Sequence, residues 1–205
     1  VVAVRSLDAA TTAVELFRQR AQAAGCEPRS LDQRPIEHIC HRLDGIPLAI
    51  ELAAARAASL GVSAIVDALD DRFSVLSGGR RRALDRHGTM RATIDWSYRL
   101  LTADEQRLFQ WLAVFSNGAE LDAVQHIATA MGLDESAGTE VLASLVTKSM
   151  VFAEQLPTGT RYRLLETMRA YALEQLDDRN DRLAAAVAHA NWVTTLTDLP
   201  TAFPG

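Results

Sequence analysis

The sequence predicts a mainly α-helical protein with one short β-hairpin. Apolar residues recur at intervals of three and four along most of the 205 residues, Gly and Pro separate these segments, and strand-like alternation occurs only near 150–164. Hydrophobic residues make up 48% of the chain, and no apolar run reaches the roughly 20 residues of a membrane helix. We therefore expect a soluble protein, and the presence of only Cys26 and Cys40 favours a reducing, cytoplasmic location.

Residues 1–76 contain four helical patterns, each bounded by a residue that starts or ends helices. The first pattern runs from Leu7 to Gly25, and the second begins at Pro35. Pro47 suits the first turn of the third helix, and a short fourth helix follows Ser63. These helices predict a small bundle. We place a linker at 77–88, where paired glycines and four arginines interrupt the periodicity.

The rest of the chain predicts a second helical domain with a hairpin. A capping box of Thr102 and Glu105 opens one of its helices, and a turn at 156–159 joins two short strands. Helix, hairpin and closing helix in this order indicate a winged-helix domain over 89–176. The last amphipathic helix is expected to begin a further domain at 177–205, and we interpret the chain as a segment of a longer protein. The predicted helices are 89–101, 103–115, 121–131, 137–148, 166–176 and 182–199.

No catalytic or metal-binding pattern occurs in the sequence. A phosphate-binding P-loop needs a glycine five residues before its Gly-Lys pair, and Lys148 has Gly138 as its nearest upstream glycine, too far away. His38 and His41 lie on a different helical face from Cys40, so we do not expect zinc. We therefore expect no enzyme activity, no metal and no cofactor in this chain.

The charge distribution bears on nucleic-acid binding. A formal net charge of −5 argues against a surface built throughout for phosphate. Between Arg72 and Arg99, however, seven arginines stand against two aspartates. The candidate recognition helix at 138–148 carries Glu140 and one basic residue, and it lacks the Arg, Asn and Gln side chains that contact base edges. DNA binding is thus an alternative function of this chain.

Several segments, in order, resemble the second half of the nucleotide-binding module of STAND-class (NB-ARC) regulatory ATPases. The resemblance is to the version in actinobacterial transcriptional regulators of the AfsR and large LuxR type. Cys-His-Arg-Leu-Asp-Gly-Ile-Pro-Leu-Ala at 40–49 resembles their Gly-x-Pro motif. Other segments resemble the helices and hairpin of their winged-helix domain, so that the likeness covers roughly residues 1–176. These segments are 91–98, 112–115, 145–149 and 161–172.

The resemblance implies two nucleotide-binding residues, Pro47 and Leu165. In the family, the proline packs against the adenine and the winged helix closes over ADP, whereas the P-loop and the Mg²⁺-holding acid lie in an upstream core. ATP or ADP with Mg²⁺ is therefore expected only with that core. Relatives place a histidine near the β-phosphate, and Leu165 stands at that position here, although a leucine cannot donate a hydrogen bond to phosphate. Glu166 is a candidate cap for the helix that follows.

The orientation of Leu165 is open at the level of sequence. Strand alternation, with Tyr162 and Leu164 pointing into the domain, predicts that Leu165 points outward, toward nucleotide or a neighbouring domain. A twist at the end of the strand would instead return Leu165 to the core. The sequence is compatible with both orientations.

We interpret the chain as the non-catalytic helical and winged-helix portion of a signal-transducing regulatory ATPase, which relays nucleotide state to output domains. The alternatives are a DNA-binding winged-helix transcription factor and a protein interaction module without a nucleotide role. The expected partners are the nucleotide-binding core and a helical repeat domain of the same protein, with oligomerisation on activation. No membrane contact and no direct DNA contact are expected. The sequence does not identify the inducer, the DNA target or the output domain.

Overall fold

The computed structural model describes residues 7–8, 10–28, 31–76 and 85–197, without the side chains of 70–76, 85–87 and 197. Helices with one small antiparallel sheet make up this part of the chain, which confirms the predicted fold class. In chain order the elements are α1 (Thr12–Ala23), α2 (Gln33–Arg42), α3 (Pro47–Leu60), α4 (Val62–Leu76), α5 (Asp85–Arg99), α6 (Ala103–Leu112), β1 (Ala119–Glu120), α7 (Leu121–Ala130), α8 (Glu135–Thr147), β2 (Phe152–Leu156), β3 (Gly159–Arg163), α9 (Glu166–Asp178) and α10 (Arg182–Thr197).

The chain forms two compact units, one of Val1–Leu100 with Thr147–Ser149 and the other of Leu101–Val146 with Met150–Gly205. The sequence prediction drew the boundary at 77–88 and assigned α5 to the second domain, whereas the structure groups α5 with the first unit. The physical reason is that α5 packs on α3 and contributes Trp96 to the apolar core of that unit. Residues 77–84 of the predicted linker lie outside the described residues, and the remainder of the linker begins α5.

The first unit is a helical bundle, as predicted. α1 packs on α3 and α2 on α4, and the core between them includes the fully buried side chains of Phe17, Ile36 and Ile50. Cys40 is fully buried in this core, and burial raises the pKa of its thiol to about 12. Cys40 therefore behaves as a small apolar residue and is protected from reaction at neutral pH.

The second unit contains the sheet, whose strand order is β1-β3-β2 with antiparallel pairing throughout. β2 and β3 form the predicted hairpin, with Phe152 opposite Arg163. β1 was not predicted, because two residues are too few to show alternation, and its Ala119 pairs with Tyr162. Gly118, which precedes β1, has φ of 77° and lies so close to the Tyr162 carbonyl that a side chain would clash.

α10 belongs to the second unit, whereas the prediction made it the start of a further domain. It packs against α7 and α9 and buries Ala185 and Ala188. The His189 ring stands edge-on to the Phe115 ring, with 4.5 Å between the two ring centroids. These contacts make α10 an integral helix of the unit. Residues 198–205 of the predicted further domain lie outside the described part of the chain.

Candidate functional site

Pro47, the first candidate nucleotide-binding residue, occupies the first turn of α3, as its sequence position predicts. It is half-buried and follows a tight turn in which Asp44 and Gly45 both have left-handed backbone conformations, with φ of 54° and 64°. The Leu7 amide donates to the Gly45 carbonyl over 2.8 Å, and a side chain at Gly45 would strike the Leu7 backbone. Only glycine therefore fits this turn.

α5 holds the same turn from a second side. The Thr89 hydroxyl donates to the Asp44 carboxylate over 3.1 Å, and the Thr93 hydroxyl donates to the Thr89 carbonyl over 2.8 Å. Both threonines are buried. The position of Pro47 thus depends on contacts from Leu7, α3 and α5. The contact from α5 could not be predicted from the sequence, because Thr89 and Asp44 are 45 residues apart.

A buried arginine connects α3 with the end of α5. Arg56 is only 3% exposed, and its Nη2 donates to the Ser97 carbonyl over 2.8 Å in the last turn of α5. A cation at this end of a helix interacts favourably with the helix dipole and with carbonyls that lack an intrahelical partner. Arg56 therefore fixes the end of α5 directly before the second unit begins at Leu101.

Leu165, the second candidate nucleotide-binding residue, is the N-cap residue of α9 and is half-buried. β3 ends at Arg163, so strand alternation does not reach Leu165, and both the outward and the core orientation stay predictions. Glu166 is not the cap that was predicted, because it is the first helical residue and pairs instead with Arg169, 3.1 Å away. Pro47 belongs to the first unit and Leu165 to the second.

The four arginines of 101–177, in α6, β3 and α9, are paired with acids. Arg161 stands opposite Glu120 in the β1–β3 register, and their charged groups are 2.8 Å apart. The other three ion pairs also join nitrogen and oxygen atoms within 4 Å: Arg163–Glu154 at 3.3 Å, Arg169–Glu166 at 3.1 Å and Arg107–Asp181 at 3.8 Å. Every arginine of 101–177 therefore has an acidic partner.

α8 occupies the position of the recognition helix, and its outer surface is neutral to acidic. Its exposed residues are Glu135, Ser136, Thr139, Glu140, Ala143 and Thr147. The open groove between α7 and α8 has a volume of about 530 Å³ and is likewise lined by Glu135 and Glu140 beside polar side chains. This surface lacks the cations that phosphate binding needs and the side chains that read guanine.

A buried carboxylate fixes the angle of α8. Glu105 is 4% exposed, and its Oε1 accepts a hydrogen bond of 2.6 Å from the Ser144 hydroxyl in α8. Its Oε2 accepts from the Thr102 amide over 2.8 Å, which confirms the predicted capping box. One side chain thus both begins α6 and anchors α8, and only the first of these roles is visible in the sequence.

The arginine-rich segment is described only in part. Of its seven arginines, only Arg91 and Arg99 have described side chains. Arg99 forms an ion pair of 3.1 Å with Asp95, one turn earlier in α5. In the described portion of the sequence, no group of His, Cys, Asp and Glu could hold a metal ion. Within the same residues, no helix is long and apolar enough to cross a membrane.

Comparison with known proteins identifies a domain and several relatives. Residues 101–177 match the winged helix-turn-helix domain family. Proteins of Mycobacterium tuberculosis and Mycobacterium bovis, both named "Putative HTH-type transcriptional regulator", are 46% identical to the chain over 195 residues. The alignment covers 94% of this chain and 22% of each relative, so the chain spans about a fifth of their length. An uncharacterized M. bovis protein is 38% identical over 183 residues, which cover 87% of this chain and 46% of that protein.

The extent of the family match agrees with the structure. The match begins at Leu101, where the second unit begins, and ends at Asp177 in the last turn of α9. It includes α6, β1, α7, α8 and the β2–β3 hairpin, in the order of a winged helix-turn-helix. Residues 101–177 are therefore a winged helix-turn-helix domain.

Proposed function

We propose that this chain is the helical and winged-helix portion of a signal-transducing regulatory ATPase that controls transcription. In this proposal the chain is not itself an enzyme. It relays the nucleotide state of an upstream core to output domains, and ATP or ADP with Mg²⁺ binds only when that core is present. The ordered resemblance over 1–176 supports the ATPase part of this assignment, and the names of the mycobacterial relatives support the role in transcription.

The main observation in support of the proposal is the net negative charge of the winged-helix domain. Residues 101–177 contain eleven acidic and five basic residues, so their field repels DNA. The four arginines among them are ion-paired, and the lysine, Lys148, is half-buried. A winged helix with this surface is suited to contacts with protein rather than with nucleic acid.

The turn before Pro47 supports a role in positioning nucleotide. The ring of Pro47 fixes the φ of that residue, and hydrogen bonds from Leu7 and Thr89 hold the turn before it. The apolar face of Pro47 is therefore rigid. A rigid apolar surface at a helix start can stack on a purine base. In the proposal, Pro47 forms one wall of the adenine site and Leu165 approaches the phosphates without bonding to them.

The ADP retained by the full-length native protein through purification tests this role. We expect Pro47→Ala to lower the ADP content several-fold, because the rigid wall is lost. Leu165→His should raise the ADP content, because an imidazole N–H can donate to phosphate. Pro28→Ala, at an exposed proline outside α3, and Leu164→His, at the neighbouring half-buried leucine, are matched controls.

Two results would contradict the assignment. Equal ADP content in all four variants would remove the nucleotide role of both candidate residues. Binding of MgATP or ADP to the isolated 205-residue chain tighter than about 1 µM, measured by calorimetry, would show that the chain does not depend on an upstream core.

A DNA-binding winged helix is the second candidate, and two observations favour it. The relatives are named as HTH-type regulators, and the segment 77–88 contains four arginines. If this candidate is right, replacing Arg80, Arg81 and Arg82 by alanine should weaken DNA binding. The slope of the logarithm of the binding constant against the logarithm of the salt concentration should also fall by about one unit per lost phosphate contact. Unchanged binding would leave the segment without a role in DNA contact.

A further inference from the structure

The turn before Pro47 has an aspartate at a position that usually requires glycine. α2 ends in a Schellman motif, in which the Asp44 amide donates to the His41 carbonyl and the Gly45 amide to the Cys40 carbonyl, both over 3.1 Å. The residue at the position of Asp44 in this motif is left-handed and is most often glycine, because a side chain makes that conformation sterically unfavourable. Asp44 adopts it nonetheless, with φ of 54°.

A hydrogen bond from α5 offsets this strain. The Thr89 hydroxyl donates to the Asp44 carboxylate over 3.1 Å, and Thr89 is only 5% exposed. A hydrogen bond to an ionised acceptor is stronger than one between neutral groups, and burial of the donor increases its strength further. Glycine at position 44 would relieve the strain but could not accept this bond. Aspartate therefore makes the shape of the turn depend on α5, whereas glycine would leave it independent.

We propose that Thr89 is a positioning residue that couples α5 to the nucleotide site at Pro47, an inference that rests on the proposed role of Pro47 in binding adenine. The bond holds Asp44 in the left-handed conformation, and the turn at 44–46 then determines where α3 and its Pro47 begin. Displacement of the N-terminal end of α5 breaks the bond, releases Asp44 and shifts Pro47. Thr89 thereby acts on nucleotide through Pro47 rather than by contact.

Hydrogen exchange of the nucleotide-free full-length native protein tests the coupling by itself. Thr89→Val keeps the shape of the side chain and removes the hydroxyl, so the amides of 44–46 should exchange about fivefold faster. Thr89→Ser keeps the hydroxyl and should restore the wild-type rates. Thr93→Val is the matched control, because it removes a buried hydroxyl whose hydrogen bond of 2.8 Å stays within α5, and it should leave the turn unchanged.

Asp44→Gly separates coupling from packing. Glycine adopts a positive φ without strain, so the turn should keep its shape and the ADP content should stay within about twofold of wild type. In this background Thr89→Val should change neither the exchange rates of 44–46 nor the ADP content, because the bond is already absent. Equal effects of Thr89→Val in both backgrounds would mean that Thr89 only packs α5, and would overturn the proposal.

The ADP retained by the full-length native protein through purification tests the consequence for nucleotide. Thr89→Val should lower the ADP content about fivefold, and Thr89→Ser should stay near wild type. Wild-type ADP content in Thr89→Val, when Pro47→Ala lowers it, would overturn the positioning role and leave the proposed function standing. Wild-type content in Pro47→Ala as well would overturn the nucleotide role of Pro47, and this inference with it. Unchanged exchange of 44–46 in Thr89→Val would overturn the coupling at any ADP content.

Discussion

The first unit contains a buried arginine, whereas the arginines of 101–177 are all partly exposed. In the first unit Arg56 is buried to 3% exposure and donates to the end of α5. In the winged-helix domain the arginines keep between a quarter and half of their side chains exposed and pair with acids at the surface. A buried arginine is costly to remove, because its partners lose their hydrogen bonds and a cavity forms. An exposed ion pair contributes little to stability and instead determines which partners the surface attracts.

The largest effect is expected for Arg56→Ala. We expect it to lower the free energy of unfolding of the first unit by about 3–5 kcal/mol, because the deleted side chain leaves a cavity and the Ser97 carbonyl loses its arginine donor, keeping only the Leu100 amide at 3.3 Å. Arg20→Ala is the matched control: Arg20 pairs with Glu51 at the surface over 3.1 Å, and its loss should cost less than about 1 kcal/mol. Urea denaturation measures both, and equal losses would remove the distinction between a buried arginine and one paired at the surface.

Gly45→Ala should have the next largest effect. The new methyl group would meet the Leu7 backbone in a left-handed conformation, so we expect a loss of about 2–3 kcal/mol. Gly25 also has a positive φ, of 99°, but has open space around it, so Gly25→Ala should cost only about 1 kcal/mol. The difference between the two variants, read from thermal melting, isolates the contact that holds the turn before Pro47.

Ser144→Ala sharpens the comparison within the second unit. It deprives the buried Glu105 carboxylate of a hydrogen bond of 2.6 Å, and we expect a loss of about 1–2 kcal/mol. Ser136→Ala, on the exposed face of the same helix, should be within about 0.5 kcal/mol of wild type. Chemical denaturation that gives the same value for both variants would show that Glu105 does not anchor α8.

The smallest change in stability is expected for Glu120→Gln combined with Glu154→Gln. Their partners are partly exposed arginines, so the double variant should cost less than about 1 kcal/mol. It should, however, raise non-specific DNA affinity several-fold, because Arg161 and Arg163 become free to contact phosphate. An unchanged affinity in fluorescence anisotropy would mean that these pairs do not shield the surface.

The sequence predicted the helices and the hairpin because those features depend on local patterns. The capping box of Thr102 and Glu105 and the start of α3 at Pro47 follow from residues within one turn of each other. Contacts between distant residues could not be predicted, because periodicity shows that a side chain is buried without showing against what. α5 was assigned to the wrong unit for this reason: its apolar residues fit either neighbour, and only the structure shows Trp96 in the first core.

The candidate sites follow the same division. The position of Pro47 was predictable from its place in the sequence, whereas the bond between Thr89 and Asp44 that supports its turn was not. Leu165 was placed on an alternating strand, but β3 ends two residues earlier and alternation has no meaning beyond that point. The pairing of Arg161 with Glu120, 41 residues away, likewise needed the register of β1, a strand too short to predict.

The central claim is that the winged-helix domain contacts protein rather than DNA. Fluorescence anisotropy of the 205-residue chain with random and genomic duplexes at physiological salt tests it most directly. We predict only non-specific binding, with dissociation constants of about 10⁻⁴–10⁻⁶ M that do not depend on sequence. Selective binding to one sequence, tighter than this range by a factor of about 10³ or more, would contradict the claim and establish the domain as a DNA reader.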